Sequence, residues 1–320
     1  MARARLSKQQ RSRVDAKQRS ELDSDSFAGI VVSRYGKQID VESTDPVHIG
    51  QIMRCYQRNH LPPLVAGDRV RWQPEADAGV VVAMEDRKNV FGRPDEAGTV
   101  KPVAANLDHV LVVVGTTPEP FSNLVDRYLV ALENLSLDPA IVFNKADIAI
   151  PGQCDGFLNT YQAIGYPVFA VSATNGSGLD QLREFLHGST ATLVGQSGVG
   201  KSSLVNALGM GAIATVGGLS QGRVKGTHTT TAARLFHLPH FDLIDSPGIR
   251  EFVLHQVTPQ QLVNGYRELR SLASQCKFRN CAHLSEPGCA VRRASELGEV
   301  DGQRMQNFYQ ILGTLDEDNQ

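Results

Sequence analysis

Residues 195–203, with the sequence GQSGVGKSS, have the composition and order that suit phosphate binding. Glycines let the backbone curl so that several N–H groups point at one phosphate, and a helix that begins here adds positive potential. The pattern predicts that Lys201 reaches the β- and γ-phosphates and acts in catalysis, and that Ser202 binds Mg²⁺. The predicted phosphate-binding residues are Gly195, Gln196, Ser197, Gly198, Val199, Gly200, Lys201, Ser202 and Ser203.

A second motif, NKAD at 144–147, follows a predicted buried strand over 140–143. The Asp147 carboxylate can accept two hydrogen bonds from the N1–H and 2-amino groups of guanine, whereas adenine would leave it unpaired. We expect the Lys145 stem to lie over the base and Asn144 to brace the neighbouring loops. Together with the phosphate loop, this motif favours a guanine nucleotide. The predicted base-binding residues are Asn144, Lys145, Ala146, Asp147, Ser172 and Ala173.

A third motif, DSPG at 245–248, fits a DxxG box. Asp245 is expected to hold Mg²⁺ through water, and the Gly248 N–H is expected to meet the γ-phosphate. The preceding segment 217–231 is rich in Gly, Ser and Thr, which predicts a loop that becomes ordered around the γ-phosphate. One of three consecutive residues should complete the Mg²⁺ shell, and spacing leaves open which: Thr229, Thr230 or Thr231.

The residue after Gly248 is Ile249, where many GTPases place a glutamine that orients the attacking water. An isoleucine cannot orient water, so hydrolysis must use another group. His228 in the loop is the candidate, and the alternative that it is an exposed histidine without a role stays open.

Four residues near the C-terminus have the spacing C-x4-C-x-H-x5-C, namely Cys276, Cys281, His283 and Cys289. Three thiolates and one imidazole make a closed tetrahedral set for one structural zinc ion, with no open position for catalysis. The chain has 5 cysteines, an odd and unevenly spaced set that makes a poor disulfide framework.

The elements around these motifs alternate between strands and helices, which predicts a parallel sheet covered on both faces over 106–258. The base motifs precede the phosphate loop and the DxxG box, the reverse of their order in ordinary GTPases. The domain is therefore predicted to be circularly permuted, with the segment after DxxG leading into a mostly helical zinc-binding domain over 259–320.

Ahead of this domain, residues 26–105 contain about five short alternating strands separated by turn signals, which predicts a small β-barrel of the OB type. Its basic residues make either a nucleic-acid-binding face or ordinary solvated strand surfaces, and the sequence leaves both readings open. They are Arg54, Arg58, Arg69, Arg71, Arg87, Lys88 and Arg93.

Residues 1–25 read as a flexible arm, and the first 20 of them contain seven basic residues and one acidic residue. The whole chain has 320 residues and a net charge of −2, so the remainder is acidic. Such an arm often contacts a polyanion, although an extension without a partner is the alternative. No apolar run approaches a membrane span, and the basic start is not followed by the apolar segment of a secretory signal.

The motifs and their order resemble the circularly permuted GTPases of small ribosomal subunit maturation, the RsgA family, also called YjeQ. The resemblance rests on NKAD, VSA at 171–173, the phosphate loop, THTTT at 227–231, DSPGIREF at 245–252 and the zinc set. The resemblance implies slow GTP hydrolysis that is stimulated by the small (30S) subunit. It also implies that the barrel and the zinc domain bind rRNA. A hydrophobic residue in place of the catalytic glutamine also fits this family.

We therefore expect a monomeric cytoplasmic GTPase that binds GTP and GDP, rRNA and the small subunit, and no membrane. The alternatives are a P-loop ATPase or small-molecule kinase, against which NKAD argues, and an RNA-binding protein with a structural nucleotide site.

Overall fold

The computed structural model describes residues 26–75, 78–94, 100–150, 152, 154–209, 233–245 and 257–317. Several predicted features lie outside the described residues: the arm over 1–25, His228, Thr229, Thr230, Thr231, Gly248 and Ile249.

The first five strands form a closed barrel in which β1 pairs with both β2 and β4. Strands β3 and β5 pair in parallel, and the other neighbours pair antiparallel. Alternation fixes the inner face, because Ile39 and Val41 are buried while Asp40 between them is half-buried and points to the other face. Trp72 and Cys55 fill the same core. The strands are β1 (Phe27–Tyr35), β2 (Gln38–Ser43), β3 (Ile52–Gln57), β4 (Arg69–Pro74) and β5 (Gly79–Met84).

A hairpin of two further strands connects the barrel to the central domain, and the sequence did not predict it. It packs Phe91 and Ala104 into the core that the central domain shares. The strands are β6 (Val90–Pro94) and β7 (Val100–Ala105).

The central domain is an α/β sheet in the order β10-β9-β8-β11-β13-β12. All of its neighbours pair in parallel except β12 and β13, which form an antiparallel pair at one edge. The strands are β8 (His109–Gly115), β9 (Asp138–Asn144), β10 (Val168–Ala170), β11 (Thr190–Val194), β12 (Arg234–His237) and β13 (Asp242–Asp245). The helices are α1 (Ser122–Asn134), α2 (Asp155–Ala163), α3 (Leu179–Leu186) and α4 (Lys201–Gly209).

The barrel and the central sheet are hydrogen-bonded to each other. The edge of β12 that faces away from β13 pairs antiparallel with β1 of the barrel, with Ser33 opposite Arg234. The strands therefore form one 11-stranded sheet that runs from β10 into the barrel.

Among the described residues, four helices follow the central domain, and α5 and α8 pack on α1. A capping box starts α5, because Thr258 accepts from the Gln261 N–H while the Gln261 side chain accepts from the Thr258 N–H. The helices are α5 (Pro259–Gly265), α6 (Arg267–Ala273), α7 (Ala290–Glu296) and α8 (Gly302–Glu317).

A buried polar network fixes these helices on the central domain. Asp126 of α1 and Arg304 of α8 form an ion pair, and their side chains are 0% and 2% exposed. Asp126 also accepts from Tyr161 at 2.7 Å and from Asn307 at 2.6 Å. Arg304 donates to both carboxylate oxygens of Glu268 at 2.8 and 3.1 Å. Each buried charge is therefore paired and hydrogen-bonded, as stability requires.

The predicted three-part architecture is confirmed, with a five-stranded barrel, a permuted α/β domain and C-terminal helices. Among the described residues, no helix has the length and apolar character needed to cross a bilayer.

Candidate nucleotide site and metal centre

The predicted nucleotide-binding residues gather at the carboxyl edge of the central sheet. Strands β9, β11 and β13 end there at Asn144, Val194 and Asp245, and β8 ends there at Gly115. This edge is where open parallel sheets bind ligands, because the loops that leave adjacent strands converge on it.

The phosphate loop depends on two glycines that no other residue can replace without a shift. Gly195 has φ +139°, and a Cβ built there would lie 2.2 Å from the Val113 carbonyl oxygen. Gly200 has φ +90°, and its Cβ would lie 2.5 Å from Asn144 Nδ2. The loop leads into α4, whose first bond runs from the Leu204 N–H to the Gly200 carbonyl at 2.8 Å.

Lys201 lies at the start of α4, and its Nζ donates to the carbonyl oxygens of Gly195 and Gln196, both at 2.6 Å. The ammonium group is thus held beside the loop whose N–H groups are predicted to face phosphate. Ser202 follows it in the first helical turn and is half-buried.

Asn144 joins the phosphate loop to the second base-binding loop. Its Nδ2 donates to the Val199 carbonyl at 2.9 Å, and its Oδ1 accepts from the Ala173 N–H at 3.1 Å. The side chain is 1% exposed, so both contacts are shielded from water. Ser172 is also buried, and its hydroxyl oxygen accepts from the N–H groups of the two residues that begin the next turn.

Lys145 adopts a left-handed backbone conformation, with φ +63°, that non-glycine residues rarely adopt. Its Nζ donates to the carbonyls of Thr117 at 2.6 Å and Gly198 at 2.7 Å. The next residues form a short 3₁₀ turn in which Asp147 is exposed. Within the described part of the chain, Asp147 accepts no hydrogen bond, which leaves its carboxylate available to a base edge.

The segment after β8 forms a wall of this site that the sequence reasoning missed. The Thr116 hydroxyl donates a hydrogen bond to the Lys145 carbonyl at 2.8 Å. Pro118 lies beside the phosphate loop, since its Cδ would be 3.7 Å from a Cβ built on Gly198. No sequence motif identifies these residues, because they contact the backbone of segments that are distant in sequence. A threonine at the carboxyl end of a buried strand is the one signal that could have found them.

Asp245 reaches the same edge as the last residue of β13. Parallel pairing of β13 with β11 aligns Asp242 with Thr190, and the Thr192 hydroxyl donates to the Ile244 carbonyl at 2.7 Å. The structure therefore brings Asp245 to the edge from which the phosphate loop leaves.

The cysteine cluster has the dimensions of a tetrahedral metal site. Cys276 Sγ lies 3.6 Å from His283 Nδ1 and 4.0 Å from Cys289 Sγ, and Cys289 Sγ lies 3.5 Å from the same nitrogen. All four donor atoms, with Cys281 included, lie within 4.8 Å of one another. Zinc bond lengths predict tetrahedral edges of about 3.5–3.8 Å, so the donor set fits this ion.

The protonation states at the cluster also suit a metal. Burial lowers the pKa of His283, so the imidazole stays neutral and can offer its Nδ1 lone pair. Burial raises the pKa of Cys281 to about 12, so this thiol needs a bound cation to become a thiolate near neutral pH. Sequence spacing alone could not identify which imidazole nitrogen faces the cluster.

Four of the basic residues of the barrel have polar partners in the structure. Arg87 forms an ion pair with the fully buried Asp68 at 2.6 Å, Lys88 pairs with Asp108 at 2.8 Å, and Arg71 donates to the Ser26 carbonyl at 2.6 Å. Arg54 is paired as well, with Asp40 at 2.7 Å, and keeps 54% of its side chain exposed, while the Lys88 side chain is 61% exposed. Arg69 is also exposed.

This chain is similar to known proteins over nearly its full length. A sequence profile of the RsgA GTPase family matches residues 84–255. The small ribosomal subunit biogenesis GTPase RsgA of Marinobacter nauticus is 42% identical over 98% of this chain and 96% of its own length.

Two solved structures resemble this fold. YjeQ from Thermotoga maritima superposes with a TM-score of 0.74 at 30% identity, covering 91% of this chain and 98% of that chain. YloQ, described as a circularly permuted GTPase, superposes with a TM-score of 0.73 at 24% identity, covering 92% and 96%. The chain therefore belongs to the RsgA GTPase family and is a GTPase.

Proposed function

We propose that this GTPase acts in the maturation of the small ribosomal subunit, where it binds the 30S particle and its rRNA and hydrolyses GTP in response. The observation that carries the proposal is the 42% identity, over 98% of this chain, to a relative named for small-subunit biogenesis. Exposed Arg54 and Arg69 on the barrel supply cationic groups suited to RNA phosphates.

In this proposal Asp147 recognises the guanine edge and the Lys145 stem covers the base. Asn144 holds the two base loops and the phosphate loop in register, which its bonds to Val199 and Ala173 support. The Ser172–Ala173 turn meets guanine O6 through the Ala173 N–H, which the base oxygen would share with Asn144 Oδ1. Lys201 leaves the loop carbonyls to bind the β- and γ-phosphates. Electrostatic contacts of this kind stabilise the charge that develops during phosphoryl transfer.

Ser202 and Asp245 are the described residues that would hold Mg²⁺, together with one of Thr229, Thr230 and Thr231. The hydroxyl and carboxylate oxygens offered here are the ligands that this ion prefers. When bound, Mg²⁺ supplies positive charge at the phosphates. Gly248 would contribute an N–H to the γ-phosphate.

Hydrolysis requires water to attack the γ-phosphorus while the bond to the β–γ bridging oxygen breaks, giving GDP and phosphate. Ile249 cannot orient that water, so we assign the orientation to His228. Orientation without new chemistry contributes orders of magnitude in rate. The isolated enzyme is accordingly expected to be slow.

The cluster of Cys276, Cys281, His283 and Cys289 is proposed to hold one structural zinc ion. Its interatomic distances support this assignment, and four protein ligands leave no position for a substrate. We further propose a cytoplasmic monomer whose basic arm over 1–25 contacts rRNA phosphates.

The decisive experiment compares GTP turnover alone, with purified small subunits and with purified large subunits. We expect stimulation by small subunits only, with ATP failing to compete for the site. Lys201→Ala should abolish turnover under each condition and so excludes a contaminating GTPase. Equal turnover with and without small subunits would overturn the proposal.

A further inference from the structure

The strand pair β12–β13 connects the barrel to the nucleotide site. One end of the pair carries Asp245, the proposed Mg²⁺ ligand, at the carboxyl edge of the central sheet. The outer edge of β12 pairs with β1 of the barrel, where Ser33 lies opposite Arg234. A register defined by one residue pair is a short backbone junction, so side chains must help to fix its angle.

His237, the last residue of β12, makes contacts on both sides of that junction. Its Nδ1 lies 2.6 Å from Asp242 Oδ1 on β13, and its Nε2 lies 3.0 Å from Glu42 Oε2 on β2 of the barrel. Carboxylate oxygens only accept hydrogen bonds, so both ring nitrogens must donate and the ring must be the imidazolium. Asp242 and Glu42 are the charged groups that the described structure places against it.

The protonation of His237 agrees with this geometry. The hydrogen bond with Asp242, strengthened by the charges of both carboxylates, raises the pKa of His237 to about 9 despite partial burial. The charged form therefore predominates near neutral pH.

A row of polar residues crosses the same junction in register. Asp245 lies opposite Arg234, Arg234 opposite Ser33, and Ser33 opposite Asp40. Within the barrel the row is hydrogen-bonded, since Ser33 donates to Asp40 at 3.1 Å and Arg54 donates to the other Asp40 oxygen at 2.7 Å. The row ends at the exposed Arg54, whose guanidinium an RNA phosphate can draw away from Asp40.

We propose that His237 is a positioning residue that clamps the barrel to the β12–β13 pair and so sets the position of Asp245 beside the phosphate loop. The inference rests on the proposed function and deepens it. An anion bound on the barrel shifts β2, His237 transmits that shift to β13, and Asp245 moves relative to Ser202. Coupling of this kind requires a side chain held by both partners, as His237 is.

The test compares His237→Ala, His237→Gln and Glu42→Gln in the full chain, with His240→Ala in the turn of the same strand pair as the matched control. We measure basal turnover, the KM for GTP and turnover stimulated by small subunits. Both His237 variants and Glu42→Gln should lower the ratio of stimulated to basal turnover by about fivefold or more. The KM should change by less than about twofold, because the base and phosphate loops are built on β9 and β11.

Two further readouts separate positioning from folding. The double variant His237→Ala/Glu42→Gln should lose no more stimulation than the larger single effect, since both changes break one clamp. Amide exchange of β13 should quicken in these variants and stay unchanged in His240→Ala. Full stimulation in both His237→Ala and Glu42→Gln would overturn the inference, whereas absence of stimulation in the unmodified chain would overturn the proposed function itself.

Discussion

At the residue scale, Asn144 and Lys145 show how adjacent side chains divide the work of one site. Asn144 is buried and connects two loops. Lys145 has a left-handed backbone conformation, and its Nζ donates to two backbone carbonyls. Asp147 completes the motif with an exposed carboxylate. Rigid neighbours thus present one free acidic group to the ligand.

Replacing that group should change the base that the site accepts. Asp147→Asn keeps one oxygen that can accept from N1–H, but it replaces the acceptor for the 2-amino group of guanine with an amide donor, which suits the 2-oxo group of xanthine. GTP affinity should fall about 10- to 100-fold, the value of hydrogen bonds to a charged group, while xanthosine triphosphate binds more tightly. Titration with both nucleotides measures this, with the exposed Asp155→Asn as control. Unchanged selectivity would contradict the base-site assignment.

Thr116 offers a second residue-scale test. Thr116→Val keeps the shape and removes the 2.8 Å hydrogen bond to the Lys145 carbonyl, so the left-handed conformation of Lys145 loses a support. GDP affinity should fall about 2- to 10-fold, the usual value of one neutral hydrogen bond. Thr116→Ser retains the hydroxyl and should bind normally. Equal binding by the valine and serine variants would show that Thr116 does not position Lys145.

Asp147 and Thr116 show how much of the site could be predicted from the sequence. NKAD and the phosphate loop were found because each performs its chemistry within a few consecutive residues. Thr116 was missed because its partner lies 29 positions away, and the contact exists only after β8 and β9 pair. His237 and Glu42 are 195 positions apart and were invisible for the same reason.

At the scale of elements, local pattern strength decided which strands could be predicted. The buried strand β9 and the five alternating strands of the barrel were expected from sequence. The four-residue strand β12 was not, because it is too short to show a period. The hairpin of β6 and β7 contains Gly92, Pro94 and Pro102, which interrupt the apolar pattern and read as turns.

The loop that carries the metal ligands should depend on its ion. Cys281→Ser removes one donor, so zinc content should fall from one ion per chain to well below one, and the C-terminal helices should unfold at a lower temperature. Cys154→Ser, outside the cluster, should retain zinc. Chelation of the unmodified protein should reproduce the Cys281→Ser behaviour. Elemental analysis without zinc in protein purified free of chelators would contradict this assignment.

The contact between β2 and β12 should depend on pH in a defined direction. The folded-state pKa of His237 is raised to about 9 from an ordinary value of 6.5. Its stabilising contribution is therefore complete below about pH 6.5 and is lost as the pH rises through about 9. The difference in unfolding temperature between the unmodified chain and His237→Gln should shrink over this range. A difference that stays constant from pH 6 to pH 10 would argue against a charged clamp.

At the scale of the whole molecule, the ion pair of Asp126 and Arg304 connects helix α1 of the central domain to α8, the last of the described helices. Tyr161, Asn307 and Glu268 complete its hydrogen bonds. The C-terminal helices are thus held on the central domain by paired, buried charge as well as by apolar contact.

Breaking this network should destabilise the whole molecule. Arg304→Met leaves Asp126 and Glu268 without their cation inside the protein, a change that typically costs about 3–5 kcal/mol. Arg292→Met removes an arginine of the same region that is 38% exposed and paired with Glu296 at 3.3 Å, and it should cost less than about 1 kcal/mol. Thermal unfolding compares the two variants. Equal unfolding temperatures would mean that the buried pair contributes nothing beyond an exposed one.

The packing of α8 on α1 also has a consequence for synthesis. During synthesis α1 emerges first, and Arg304, which pairs with Asp126 of α1, is added 178 residues later. Until α8 leaves the exit tunnel, the apolar side of α1 is open and the carboxylate stays hydrated, so vectorial folding stops short of the native state. Synthesis must therefore proceed past α8 before the central domain can complete its packing, and a chain that stops before α8 is left with the exposed surface that chaperones and proteases recognise.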